Sequence, residues 1–130
     1  MYDPLKHRSP GVGENYPNSY WFGQSGEPPT PTDSLQEDIE TDVAIIGAGY
    51  TGLSCAYHLA TEHKIKAHIL EANQTAWGCS GRNAGFILKS TGRKPYAAMV
   101  KQWGESAAKQ FYNEVCEGVA TVNHLIQKGI

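Results

Sequence analysis

The chain has 130 residues, 40% of them hydrophobic, which is enough for one domain with a real core. A formal net charge of −2 and the lack of any basic run argue against a nucleic-acid or membrane-surface partner. No apolar stretch approaches the roughly 20 residues that span a bilayer, the amino terminus lacks a basic-then-apolar signal pattern, and three cysteines without a C-x-x-C suit a reducing compartment. The expected setting is the cytoplasm, with no metal site.

Residues 1–40 hold six of the seven prolines together with Gly11, Gly13, Gly23 and Gly26, and show no sustained periodicity. They read as an extended leader. Tyr16, Tyr20, Trp21 and Phe22 cluster within it, and aromatic residues are scarce in disordered chains, so Ser19-Tyr20-Trp21-Phe22 is expected to dock on the body of the protein. Asp38-Ile39-Glu40-Thr41-Asp42 then leads into the first strand.

Val43-Ala44-Ile45-Ile46 reads as a short buried-type strand that runs directly into Gly47-Ala48-Gly49-Tyr50-Thr51-Gly52, a G-x-G-x-x-G turn. In a dinucleotide fold the first glycine makes the tight turn, the second admits a pyrophosphate close to the main chain, and the third lets the next helix pack on the strand. The N–H groups of Tyr50, Thr51 and Gly52 would face the phosphates from the positive end of that helix. Thr51–Ala60 reads as the helix, with Leu53, Ala56, Tyr57 and Ala60 at i, i+3, i+4 and i+7. Ala67-His68-Ile69-Leu70-Glu71 reads as the second strand, and Glu71 lies 19 residues past Gly52, where an acid would accept the hydroxyls of an adenosine ribose. A 2′-phosphate would be repelled there, and no Arg or Lys follows among Ala72, Asn73 and Gln74, so NADP is disfavoured. A strand before, a helix after and an acid at this distance make the glycine turn a nucleotide site. By themselves they leave NAD and FAD open.

Trp77-Gly78-Cys79-Ser80-Gly81-Arg82-Asn83-Ala84-Gly85-Phe86 is a donor-rich loop whose glycines allow close approach of backbone to a ligand. It reads as a second phosphate or ring-edge cradle. From Pro95 the pattern is helical, with Tyr96, Met99, Val100 and Trp103 on one face until Gly104 interrupts. A second helix from about Glu105 carries Ala108, Phe111, Val115, Val119, Val122 and Ile126 on one stripe, with Gly129 as its stop. Both are packing helices, and Gly129-Ile130 reads as the entry to a further strand. The fold class is α/β, a Rossmann-type βαβ unit with an incomplete parallel sheet and following amphipathic helices. The division is a leader over 1–40 and the amino-terminal part of a dinucleotide-binding domain over 41–130.

Three motifs, Gly47–Ser54, Ile69-Leu70-Glu71-Ala72 and Gly78–Gly85, resemble the amino-terminal part of the FAD-dependent amine and D-amino acid oxidase-like oxidoreductases. Within that group the chain most resembles gamma-glutamylputrescine oxidase-like proteins, which also carry an aromatic leader like Ser19-Tyr20-Trp21. The resemblance implies that Gly47, Gly49, Tyr50, Thr51 and Gly52 hold the FAD pyrophosphate and that Glu71 and Ala72 hold the adenosine. It assigns Ser80, Arg82, Asn83, Ala84 and Gly85 to a second FAD loop reaching the pyrophosphate, ribityl chain and flavin side. The implied reaction passes a hydride equivalent from the carbon bearing an amine to the flavin, giving an imine that hydrolyses, with oxygen or another acceptor taking the electrons. The partner is then a small amine or amino acid.

Because the cofactor carries that chemistry, no residue here needs to be a catalytic acid or base, and the catalytic residues are expected outside this chain. His58 on a helix and His68 on a strand read as packed or surface histidines, and Cys79 as a loop thiol near the flavin. Family members are much longer, so the chain reads as an amino-terminal fragment that by itself retains FAD weakly or not at all. An NAD-linked dehydrogenase and a noncatalytic nucleotide-binding fragment stand as the other readings.

Overall fold

The computed structural model describes residue 6 and residues 13–30, 33–90 and 92–129. By their contacts they form two compact units, residues 1–84 and 85–130.

In the first unit, strands β1 (Val43–Ile46) and β2 (Ala67–Leu70) pair in parallel, with Val43 opposite Ala67 and Ile46 opposite Leu70. Parallel neighbours need a crossover, and helix α2 (Tyr50–Glu62) supplies it, packing on both strands. The helix begins one residue before the expected Thr51 and continues two beyond Ala60, and β2 stops at Leu70 so that Glu71 stands just past its carboxyl end. Gly52 is the buried residue of α2, and the reason is contact distance. A methyl group on it would lie 2.0 Å from the Gly47 carbonyl oxygen and 3.2 Å from Ile45 Cγ2.

A two-stranded sheet is narrow, so it covers only the middle of the apolar stripe of α2. Ala56 and Tyr57 are half-buried, while Leu53 and Ala60 at its ends are exposed. For the same reason Ile46 keeps 81% of its surface open. Among the described residues of the leader a short helix, α1 (Tyr20–Gln24), forms where Ser19 caps it, its hydroxyl accepting the Phe22 N–H at 3.2 Å.

The second unit is a helix pair, α3 (Tyr96–Trp103) and α4 (Glu105–Gln127). Pro95 stands immediately before α3, and Gly104, at φ 83°, separates the two helices. Met99 and Ala108 are fully buried between them, which bears out their reading as packing residues. Trp103 meets Phe111 at 6.0 Å and Tyr96 meets Tyr112 edge-on at 6.1 Å between ring centroids. One turn along α4, a hydrogen bond with Cys116 pushes the Tyr112 phenol above its ordinary range. The stripe is half-buried at Val115 and Val119 but opens at Phe111, Val122 and Ile126. Gly129 follows the end of α4 at φ 75°, and the expected strand entry at Ile130 lies outside the described residues. Among the described residues no helix is long and apolar enough to cross a membrane.

Two glycines separate contact from propensity. Gly52→Ala should lower the unfolding free energy by about 1–3 kcal/mol through overpacking. Gly118→Ala, where an added methyl meets nothing within 4 Å of it in the interior of α4, should instead raise stability by about 0.5–1 kcal/mol. Urea denaturation of the two variants reads both signs.

Candidate functional site

The carboxyl ends of β1 and β2 lie side by side, and the hydrogen-bond ladder runs one residue further, with Gly47 N–H donating to the Leu70 carbonyl at 2.8 Å. There Gly47 turns the chain at φ 98°. Ala48, only 4% exposed, is held on both sides of its residue. Its N–H donates to Glu71 Oε2 at 2.7 Å, and its carbonyl accepts the Ala76 N–H at 2.8 Å. The other Glu71 oxygen, Oε1, accepts the Asn73 N–H at 3.1 Å. One carboxylate therefore ties the glycine turn to the end of β2 and sets the course of the chain after it. Each oxygen keeps acceptor capacity, so a fixed Glu71 can still receive ligand hydroxyls.

The second loop comes back onto the glycine turn at Ser80. Its Oγ accepts the Tyr50 N–H at 2.9 Å, which supplies the first N–H of α2 with a partner that Gly49, the N-cap, has no side chain to give. A Cβ on Gly49 would stand 2.8 Å from that Oγ, so the close approach at this glycine is to the second loop itself. Ser80 sits in a short 3₁₀ turn, Cys79–Gly81, which Asn83 closes by donating from Nδ2 to the Cys79 and Ser80 carbonyls at 3.3 and 2.9 Å. Arg82 folds back on its own loop, with Nε donating to the Trp77 carbonyl at 2.8 Å and the guanidinium 4.1 Å from the centre of the indole ring.

Between the two loops is a pocket of about 260 Å³, lined among others by Gly49, Glu71, Ala76, Trp77, Cys79 and Ser80. It opens at the carboxyl ends of the strands, where open α/β sheets bind their ligands. The structure thus brings together Gly47, Gly49, Tyr50, Glu71 and Ser80. Thr51 is exposed in the first turn of α2, Gly52 is buried beneath it, and Ala72 is exposed beyond Glu71. Arg82 and Asn83 brace the loop from within, Ala84 is exposed, and Gly85 has φ 71°. Ala48, Ala76 and Trp77 belong to the site's framework although nothing in the glycine pattern marks them.

Thr51 and Gly52 lie in the first helical turn, whose N–H groups have no intrahelical acceptor, and that turn carries no acidic side chain. Ser80, having accepted from Tyr50, still has its own O–H to donate. The arrangement offers donors to an anion at the end of a helix dipole and a carboxylate to hydroxyl groups a short way off. Those are the two recognition elements of an adenosine diphosphate moiety.

Elsewhere, His58 Nδ1 bonds to Glu62 Oε1 at 2.6 Å on the surface of α2. His68 Nδ1 bonds to Thr41 Oγ1 at 3.0 Å beside a larger open depression bounded by Glu40, Asp42 and Lys66, at the amino ends of the strands. Neither histidine is at the carboxyl-end pocket. Among the described residues no group of three or more His, Cys, Asp or Glu could hold a metal ion.

A family model described as FAD dependent oxidoreductase matches residues 42–129. The chain is 34% identical over 110 residues to gamma-glutamylputrescine oxidoreductase of Escherichia coli K12, covering 85% of this chain and 25% of that protein. It is 35% identical over 98 residues to a putative Rieske 2Fe-2S iron-sulfur protein, YhfW, of Bacillus subtilis, covering 74% of this chain and 18% of the relative. With the probable oxidoreductase OrdL of Haemophilus influenzae the identity is 31% over 119 residues, 88% of this chain and 26% of that one. The chain therefore spans about a quarter or less of the curated relatives it is compared with here. No solved structure matches it at comparable stringency.

The contact between the loops is open to a double-mutant cycle. Gly49→Ala alone should cost about 1–3 kcal/mol by clashing with Ser80. In a Ser80→Ala background the cost should shrink, giving a coupling energy of about 0.5–3 kcal/mol by urea denaturation. Strict additivity would place the two loops apart.

Proposed function

The chain belongs to the FAD-dependent oxidoreductase family, with FAD as its cofactor, and from that premise we propose that it is the cofactor-capturing portion of an enzyme that oxidises an amine or amino acid to an imine. The observation that carries the placement of FAD is the Ser80–Tyr50 hydrogen bond, which draws the second loop onto the glycine turn and leaves the pocket between them. In this reading Gly47, Gly49, Tyr50, Thr51 and Gly52 hold the pyrophosphate, with Ser80 donating its hydroxyl proton to the same phosphates. Glu71, held by Ala48 and Asn73, accepts the ribose hydroxyls, and Ala72 covers the adenosine. Arg82, Asn83, Ala84 and Gly85 carry the loop onward to the flavin side.

When bound, FAD supplies the acceptor for a hydride equivalent leaving the carbon that bears the amine. The residues of this chain orient and anchor. They hold no proton that the reaction needs, and the groups that contact the amine lie beyond them in the enzyme. A gamma-glutamylputrescine-like amine is the substrate class that the name of the Escherichia coli relative supports, with a D-amino acid as the other member of the class. A cytoplasmic setting accords with three free cysteines, and a net charge of −2 accords with a small-molecule partner in place of a nucleic acid. The family match sets aside the NAD-linked dehydrogenase.

The purified complete protein should show a flavin visible spectrum that bleaches when such an amine is added without oxygen. A colourless protein that also refuses added FAD sinks the reading, and a yellow protein that no amine or amino acid bleaches sinks its substrate half. Glu71→Gln should weaken FAD about tenfold or more, the loss expected for a charge-assisted hydrogen bond, in a fluorescence titration of the FAD-free protein.

A further inference from the structure

The residue that joins the second loop to the glycine turn is held in a costly conformation. Ala76 donates its N–H to the Ala48 carbonyl while its own backbone sits at φ 58°, a region that residues with a Cβ seldom occupy. Such a residue persists only where its surroundings over-determine it. Its two neighbours are both bonded to the leader. The Tyr16 hydroxyl donates to the Thr75 carbonyl at 2.7 Å, and the Trp77 indole N–H donates to the Asn15 carbonyl at 3.0 Å.

The leader is itself braced for this contact. The Tyr16 ring stacks on Phe22 at 4.4 Å between centroids and 22° between planes, and Phe22 is placed by α1 through its Ser19 cap. On the loop side Trp77 is buried, and its carbonyl and ring are both engaged by Arg82, whose N–H bonds to the Cys79 carbonyl at 3.1 Å. That turn presents Ser80 to Tyr50.

We propose that the leader, through Tyr16 and Asn15, positions the cofactor loop, holding Ala76 in its left-handed conformation so that Ser80 and Trp77 are set for FAD before FAD arrives. Tyr16 is a positioning residue, acting on the site through Thr75 and Ala76. The inference rests on the reading that this loop binds FAD. Pre-ordering of this kind strengthens binding because less loop entropy is lost when the ligand arrives.

The test uses the complete protein, stripped of FAD and titrated with it by flavin fluorescence. Tyr16→Phe keeps the ring and its stacking but removes the donor to Thr75. It should weaken FAD about five- to tenfold, the value of one net hydrogen bond. Tryptic cleavage after Arg82 in the FAD-free protein should quicken, while its melting temperature stays that of the parent. Ala76→Gly added to Tyr16→Phe should recover most of the lost affinity, because glycine takes positive φ without strain. Tyr20→Phe, at an exposed leader tyrosine, should change none of these readings.

Unchanged FAD affinity in Tyr16→Phe overturns the proposal, as does a loss of affinity that Ala76→Gly leaves untouched. A fall in melting temperature with cleavage quickened all along the chain overturns it too, since that is the signature of general destabilisation. A parent protein that does not take up FAD brings down the site reading and this inference with it. A parent that binds while Tyr16→Phe binds equally well removes the inference alone.

Discussion

The Ala48 residue is the point on which the first unit turns. Its N–H is taken by a carboxylate from the end of β2 and its carbonyl by the N–H of Ala76, so two residues distant in sequence converge on one. It is almost fully buried, where an unpaired N–H or carbonyl would cost about 1–3 kcal/mol. Neither partner is therefore optional. The demand that both groups be satisfied is what brings Glu71 and the second loop to the glycine turn, and the pocket is the space left between them.

That arrangement gives Glu71 two tasks. As an acceptor for Ala48 and Asn73 it is a structural element, and as an exposed carboxylate beside the pocket it can meet a ribose. The tasks do not compete, because an ionised carboxylate has about four acceptor positions and the backbone uses two. Ser80 works on the same principle with opposite polarity. It spends a lone pair on Tyr50 N–H and keeps a donor, so the partial positive charge at the start of α2 is passed outward to a hydroxyl that can reach further than the backbone.

The sequence made the backbone of this site readable because its rules are local. Gly47, Gly49 and Gly52 occur at the spacing a strand-to-helix turn requires, and Glu71 follows at the distance a βα connection sets, so strand, helix and acid are all visible without a structure. The parallel pairing of Val43–Ile46 with Ala67–Leu70 follows from the same pattern. The aromatic cluster pointed to docking at Ser19-Tyr20-Trp21-Phe22, yet Tyr20 and Trp21 stay exposed and it is Asn15 and Tyr16 that reach the second loop, because the particular long-range contacts are not written in composition. Ala76 is an alanine at a positive φ, Tyr16 and Trp77 meet partners 59 and 62 residues away, and none of these leaves a periodic trace. The helix α2 stripe was legible as a face, yet Leu53 and Ala60 are exposed because the width of the sheet beneath them is a tertiary property.

Energetics tie these contacts to cofactor binding. Of the four apolar residues buried among those described, the first unit contributes Ala48 and Trp77, and both belong to the framework of the pocket. Among its described residues the unit has little other buried apolar surface to hold the loops in place independently, so their order depends on a few hydrogen bonds whose net worth is about 1 kcal/mol each. A ligand that binds only the ordered loops adds to that stability in proportion to the logarithm of its concentration over its dissociation constant, about 2.7 kcal/mol at a hundredfold excess. Several small contacts of known direction, from Tyr16, Arg82, Ser80 and Glu71, then act on one equilibrium between ordered and open loops. If the second loop holds FAD as proposed, the cofactor draws on the same equilibrium, and a change at Tyr16 would reach it without touching it.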